Sequence, residues 1–265
     1  MLKLSKRLQT IADYVTPGSR TADIGSDHAL LPVYLIQAGK VPSAIAGELN
    51  LGPYEAARKQ AASAGCLHKL DVRRGDGLAV LQPGEADTVT IAGMGGSLMS
   101  DILEEGFAAG KLEGVKELVL QPNVGEDLVR SWLIRRGWFL EAETILEEDS
   151  KIYEVLHAIK DDESDSAKER IKNLYDSSFL PLSQPLDYEA GFARLIQMGP
   201  YLLRKPNDVL QKKWRFELDK LNIICEQLAL SDMEQAVIKR KQFKDEMNAI
   251  EEVLNCLPMV KPSFN

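Results

Sequence analysis

The chain has 265 residues, 45% hydrophobic and 27% charged, which suits a packed core in one large domain or two smaller ones. The net charge of −8 arises wholly in residues 1–164 (17 Lys and Arg against 25 Asp and Glu), while residues 165–265 carry 15 of each, so a local basic surface for RNA is not excluded. No apolar run can span a bilayer, the opening M-L-K-L-S-K-R-L-Q lacks a signal peptide's apolar block, and three scattered cysteines (Cys66, Cys225, Cys256) offer neither a disulfide framework nor a zinc site, which suits a reducing cytoplasm.

Leu4, Leu8, Ile11 and Val15 share one face of an opening amphipathic helix that Pro17-Gly18 ends. Its other face carries Lys3, Lys6 and Arg7 and reads as solvated. Residues 21–24 form a short apolar run ending at Gly25, as a buried parallel strand ends before a tight turn, and 33–38 reads as the helix that follows. Strand, glycine turn and helix open many nucleotide-binding α/β folds. Residues 42–48 read as a second strand. Its last residue, Glu48, stands where such a sheet places the carboxylate that binds ribose hydroxyls, about 20–25 residues after the first strand.

A helix over 54–64 is closed by Gly65, and 70–74 is a third strand. Asp76, between two glycines in R-G-D-G, fits either an adenine amino group or an ordinary Asp-Gly turn. The fourth strand, 86–92, runs into Gly93-Met94-Gly95-Gly96, where backbone can come close to a ligand. A helix over 97–106 and a fifth strand over 116–120 follow, the strand ending at Gln121-Pro122-Asn123. After a helix over 126–136, the runs 138–146 and 151–160 are separated only by E-E-D-S and read as an antiparallel hairpin.

The charged stretch 161–166 reads as a linker, dividing the chain into domains 1–160 and 161–265. Pro181, Pro185, Pro200 and Pro206 then allow only short helices. From Asn207, Trp214, Leu218, Leu221, Cys225 and Leu228 set one apolar seam, and Ala236, Phe243, Met247, Ile250, Leu254 and Leu257 a second. Ser231 and Glu234 look like a capping box between them. The pattern predicts an antiparallel, coiled-coil-like helical hairpin, and a fold at 230–231 sets Cys225 opposite about Ala236.

Alternating strands and helices closed by an antiparallel hairpin resemble the Rossmann-like sheet of class I methyltransferases that use S-adenosylmethionine. The strings D-I-G-S-D-H-A-L-L-P, A-G-E-L-N, G-D-G, I-A-G-M-G-G and Q-P-N together resemble one bacterial family over the whole chain. That family is the tRNA (adenine-N1)-methyltransferases acting on adenine 22 in the D arm. Asp27 and Ala29 stand where the general methyltransferase pattern has glycines, a departure the family shares.

The resemblance implies a domain over 1–160 that holds S-adenosylmethionine and a helical domain over 161–265 that contacts tRNA. Gly25 and the backbone from Ser26 to Ala29 would lie against the methionine part, with Asp23 orienting the loop or the cofactor amine. Glu48, with Leu49 beside it, would meet the ribose, Asp76 and Gly77 the adenine, and Gly93 and Met94 the methyl group. Asp27, His28 and Asn123 are the catalytic candidates, with Gln121 on the substrate side. Lys212, Lys213, Arg215, Lys239, Arg240 and Lys241 are candidate tRNA contacts. His68 and His157 read as surface or packing residues. Neither a metal nor a membrane is implied, and oligomeric state is left open. Three rival readings are a small-molecule methyltransferase, a nicotinamide-dependent oxidoreductase and a non-catalytic RNA-binding protein. The missing G-x-G-x-x-G speaks against the second, and the set Gly25, Glu48 and Asp76 against the third.

Overall fold

The computed structural model describes residues 2–161, 164–182, 184–231 and 233–258. The chain divides into two compact units, Met1–Ile171 and Lys172–Asn265. The first is built on seven strands: β1 (Thr21–Ile24), β2 (Ala44–Glu48), β3 (Leu70–Arg74), β4 (Thr88–Met94), β5 (Glu117–Pro122), β6 (Trp138–Glu148) and β7 (Lys151–Lys160). Their order is β3-β2-β1-β4-β5-β7-β6. The first five are parallel, and β7 pairs antiparallel with both β5 and β6. All residues of β1, β2 and β5 are buried, as expected where helices cover both faces of a parallel sheet.

Helix α1 (Lys6–Tyr14) is capped by Ser5, whose hydroxyl accepts from Leu8 N–H. With α2 (Leu30–Gln37) and α3 (Leu51–Ser63) it builds one core, including Ile11, Val15, Leu35, Ala57 and Val119. Pro32 and Pro53 fall in the first turns of α2 and α3, where no intrahelical N–H bond is lost, so both helices start earlier than predicted. Helices α4 (Gly96–Ala108) and α5 (Glu126–Arg135) bury Met99, Leu103, Trp132 and Leu133. The β6–β7 turn is Asp149-Ser150, both with positive φ (50° and 60°), as a two-residue primed turn requires.

The predicted linker falls partly on residues 162 and 163, outside the described residues. Asp165 and Ser166 already belong to α6 (Asp165–Leu174). The second unit continues with α7 (Tyr188–Met198), α8 (Pro200–Arg204), α9 (Asp208–Leu228) and α10 (Glu234–Cys256). Asn207 caps α9, its side chain accepting from Leu210 N–H. Trp214 and Cys225 of α9 and Ile250 of α10 are buried along the predicted seams. Cys225 Sγ faces the carbonyl of Arg240 at 3.9 Å, not Ala236. Arg240 stands one turn beyond Ala236, and α10 begins at Glu234. Ser231 is correspondingly not a helix cap, since its hydroxyl accepts from Met233 N–H at 3.4 Å.

Candidate active site

The C-terminal ends of the five parallel strands gather most of the predicted first-domain residues along one rim. β1 ends at Ile24, and the loop from Gly25 to Ala29 follows. Gly25 has φ 68°, and Asp27, His28 and Ala29 follow at 36°, 64° and 54°. The two positions where glycine is common, Asp27 and Ala29, keep a glycine-like backbone without glycine. Three consecutive L-residues in this region store strain. Gly25 N–H and Ser26 N–H both donate to Gly47 O, at 2.9 and 3.2 Å, tying the loop to β2. A Cβ on Gly25 would lie 2.3 Å from Met94 Cε, so Met94 packs directly over this glycine.

Beneath the loop, Asp23 is 4% exposed. Ser26 Oγ donates to its Oδ2 at 2.5 Å and Thr90 Oγ1 to its Oδ1 at 2.6 Å. Burial raises its pKa above the ordinary carboxylate value, against the lowering pull of these hydroxyls and of Arg7. Each carboxylate oxygen accepts from a hydroxyl, so Asp23 links the loop to β4. Thr90 was not anticipated. The alternation in T-V-T-I-A carried the signal: Thr88 and Thr90 share one face of a buried strand and need polar partners, which are Glu117 and Asp23.

Glu48 is 7% exposed, and its Oε1 accepts from Asp27 N–H at 2.5 Å. Oε2 has no bond among the described residues. Burial raises the Glu48 pKa, with the Asp27 N–H opposing it. Leu49 is 53% exposed. Asp76 is exposed beyond β3, and Gly77 (φ 47°) opens a short 3-10 turn, Gly77–Val80. Asp27 and His28 turn outward, with side chains 84% and 60% exposed and 3.6 Å apart.

At the end of β4 the pairing with β5 is irregular between Ala92 and Met94, around Gly93 at φ 79°. Asn123, exposed at the end of β5, donates from Nδ2 to Gly93 O at 2.8 Å and from its backbone N–H to Met94 O at 2.7 Å. Gln121 is fully buried, and Arg7 Nη1 donates to its Oε1 at 2.6 Å. Arg7 is therefore no part of a solvated face, and nothing in the sequence linked α1 to β5. His157 is a packing residue: its Nε2 lies 2.9 Å from Glu117 Oε1 and its ring stacks on Tyr14. His68 is exposed.

The candidate tRNA contacts lie in the second unit. Lys212 Nζ is 5.8 Å from the Phe216 ring centroid, and Lys213 Nζ 5.7 Å from that of Trp214. Arg215, Lys239 and Lys241 are exposed and Arg240 is half-buried. Among the described residues, no group of three or more His, Cys, Asp or Glu is placed to hold a metal ion. No described helix is long and apolar enough to cross a membrane.

Strand order and rim together define a Rossmann-like class I methyltransferase. The model of the TrmK family, tRNA (adenine(22)-N(1))-methyltransferase, matches residues 21–252, and the chain belongs to that family. It is 43% identical over 255 residues to the tRNA (adenine(22)-N(1))-methyltransferase of Bacillus subtilis, covering 96% of this chain and 98% of the relative. The crystal structure of the Bacillus subtilis m1A22 tRNA methyltransferase TrmK superposes with a TM-score of 0.82 at 43% identity, over 96% of this chain and 100% of that one. The crystal structure of Streptococcus pneumoniae Sp1610 in complex with S-adenosyl-L-methionine gives 0.76 at 36% identity, over 95% of this chain and 100% of that one.

Proposed function

We propose that this chain transfers a methyl group from S-adenosylmethionine to N1 of adenine 22 in the D arm of tRNA. Family membership supports the reaction, and one observation supports the site. A glycine loop with successive positive φ values lies beside a buried glutamate with a spare oxygen, at the ends of parallel strands. In this reading Gly25 and the backbone from Ser26 to Ala29 lie against the cofactor's methionine part. Glu48 Oε2 accepts from the ribose and Asp76 from the adenine amine, with Leu49 and Gly77 beside them. Gly93 and Met94 border the methyl group. Residues 1–160 form the cofactor domain, residues 161–265 contact tRNA, and the reaction belongs in the cytoplasm.

S-adenosylmethionine supplies an electrophilic methyl on a sulfonium, so positive charge passes to the purine and no proton leaves N1. The chain therefore needs orientation and negative potential more than a strong base. The exposed Asp27 carboxylate, with His28 beside it, is assigned the negative potential, and Asn123 the orientation. The target base is unstacked before it enters, at a cost of a few kcal/mol. Calorimetry with S-adenosylmethionine and with NAD, followed by methyl incorporation into bulk tRNA, tests the reading. Binding of the first alone and transfer to tRNA are expected. Binding of NAD, or binding of S-adenosylmethionine with no transfer to any tRNA, contradicts it.

A further inference from the structure

Arg7 lies outside residues 21–252, the span of the family match. We propose that it is a positioning residue for the target base: it fixes the direction of a two-amide chain so that Asn123 Oδ1 meets the 6-amino group of adenine. This rests on the function proposed above.

The chain runs from Arg7 through Gln121 and Asn123 to Gly93. A guanidinium only donates hydrogen bonds. Arg7 Nη1, 2.6 Å from Gln121 Oε1, therefore settles which end of that amide faces it. Gln121 Nε2 is thereby turned to Pro122 O at 2.9 Å and Asn123 Oδ1 at 3.1 Å. A carbonyl only accepts, and Gly93 O takes Asn123 Nδ2 at 2.8 Å. The chain is pinned at both ends. Rotating either amide would set oxygen against oxygen or nitrogen against nitrogen. Gln121 is 0% exposed, so water cannot substitute for a lost partner. Arg7 is itself held, since the N–H groups of Lys6 and Arg7 donate to the Glu148 carboxylate at 2.5 and 3.2 Å. Its guanidinium also lies 5.3 Å over the Tyr153 ring.

Asn123 is exposed and keeps one lone pair on Oδ1 and one N–H on Nδ2. Donation to adenine N1 would tie up the lone pair that takes the methyl. Acceptance from the 6-amino group has the opposite effect. As N1 gains the methyl, positive charge spreads through C6 onto that nitrogen, and its bond to Oδ1 strengthens in the transition state. Oδ1 can be offered only while the amide chain keeps its direction, which Arg7 at one end and Gly93 O at the other maintain together.

The test measures kcat, the tRNA KM and S-adenosylmethionine affinity for the full chain and for Arg7→Met, Arg7→Lys and Gln121→Glu. Each acts on tRNA with adenine at position 22 and on tRNA with purine there, which lacks the 6-amino group. The unchanged chain should prefer adenine. Arg7→Met should lose about tenfold to a hundredfold in kcat on adenine and most of the preference, with cofactor affinity nearly unchanged. Arg7→Lys, again a pure donor, should recover much of both. Gln121→Glu keeps an acceptor for Arg7 but turns oxygen toward Asn123 Oδ1, and should lose the preference even if Arg7→Met does not fold. Full preference in either Arg7→Met or Gln121→Glu overturns the assignment, as does cofactor affinity falling in step with kcat. An unchanged chain inactive on both tRNAs overturns the proposed function and this assignment with it. An active chain with unaffected variants overturns this assignment alone.

Discussion

At the strand ends of the first unit, Asp23, Glu48 and Gln121 are 4%, 7% and 0% exposed, and each is bonded to a loop or helix it holds in place. Along α9 and α10 of the second unit, Arg215, Lys239 and Lys241 stand exposed on helix surfaces. Buried groups of the first kind specify direction, because each lost bond leaves an unsatisfied partner. Exposed charges of the second kind supply a field that is screened by salt and tolerates small displacements. The division suits a protein that must place one methyl group accurately while holding a large anion. Single substitutions should therefore act sharply in the first unit and gradually in the second.

The largest effect is expected from Gly25→Ala. It adds a Cβ 2.3 Å from Met94 Cε at a residue with φ 68°. Strain of about 1–3 kcal/mol should appear as a lower Tm together with a loss of S-adenosylmethionine affinity. Adding Met94→Ala removes the clash and leaves the backbone strain, so recovery should be partial. Full affinity in Gly25→Ala would show that the loop is not the cofactor cradle.

Next come Glu48→Gln and Asp76→Ala, each expected to weaken cofactor binding by about 1–3 kcal/mol, the cost of leaving a hydrogen-bonding partner unsatisfied, without unfolding. Glu48 adds a pH signature. Burial raises its pKa above the ordinary 4.5, so it takes up a proton earlier than a free glutamate as pH falls. Cofactor affinity should decline on acidification from above that value in the unchanged chain, and should lose this component in Glu48→Gln. The sign for folding is opposite. A raised folded-state pKa favours the folded chain at low pH, and that contribution is lost as pH rises through it. A loss of affinity on acidification that is identical in Glu48→Gln would remove Glu48 from the ribose site.

Reversing Lys212 and Lys213 to Glu should act more gently. The tRNA KM should rise and the log–log salt slope should flatten by roughly 0.7–0.9 for each phosphate no longer neutralised. Cofactor affinity should not move. An unchanged salt slope would leave these lysines without a tRNA role. The smallest effect is a gain. Ala29 is fully buried at φ 54°, and Ala29→Gly should stabilise the fold by up to about 1 kcal/mol if relieved strain exceeds the added chain entropy. A lower Tm would mean that packing of the Ala29 methyl outweighs the strain.

The sheet was legible because β1, β2 and β5 are short buried runs that end in a glycine, an acid or proline, and that punctuation marks the functional rim as well. Partners brought together by the fold were less legible. Arg7 and Gln121 are 114 positions apart, and a basic helix face reads the same whether it meets water or a buried amide. The positive φ values of Asp27, His28 and Ala29 were hidden because glycine is the usual marker of that backbone. Periodicity gives the α9 and α10 seams but not where the chain folds back, so it did not place Cys225 against the Arg240 carbonyl.

The most direct measurement is to map the product. Unmodified tRNA is incubated with the chain and S-adenosylmethionine, and then copied by reverse transcriptase, which a methyl on the Watson–Crick edge blocks. A new stop at position 22, absent when adenine 22 is replaced by guanine, is the expected result. Methyl incorporation with stops elsewhere, or with none, would contradict transfer to N1 of adenine 22.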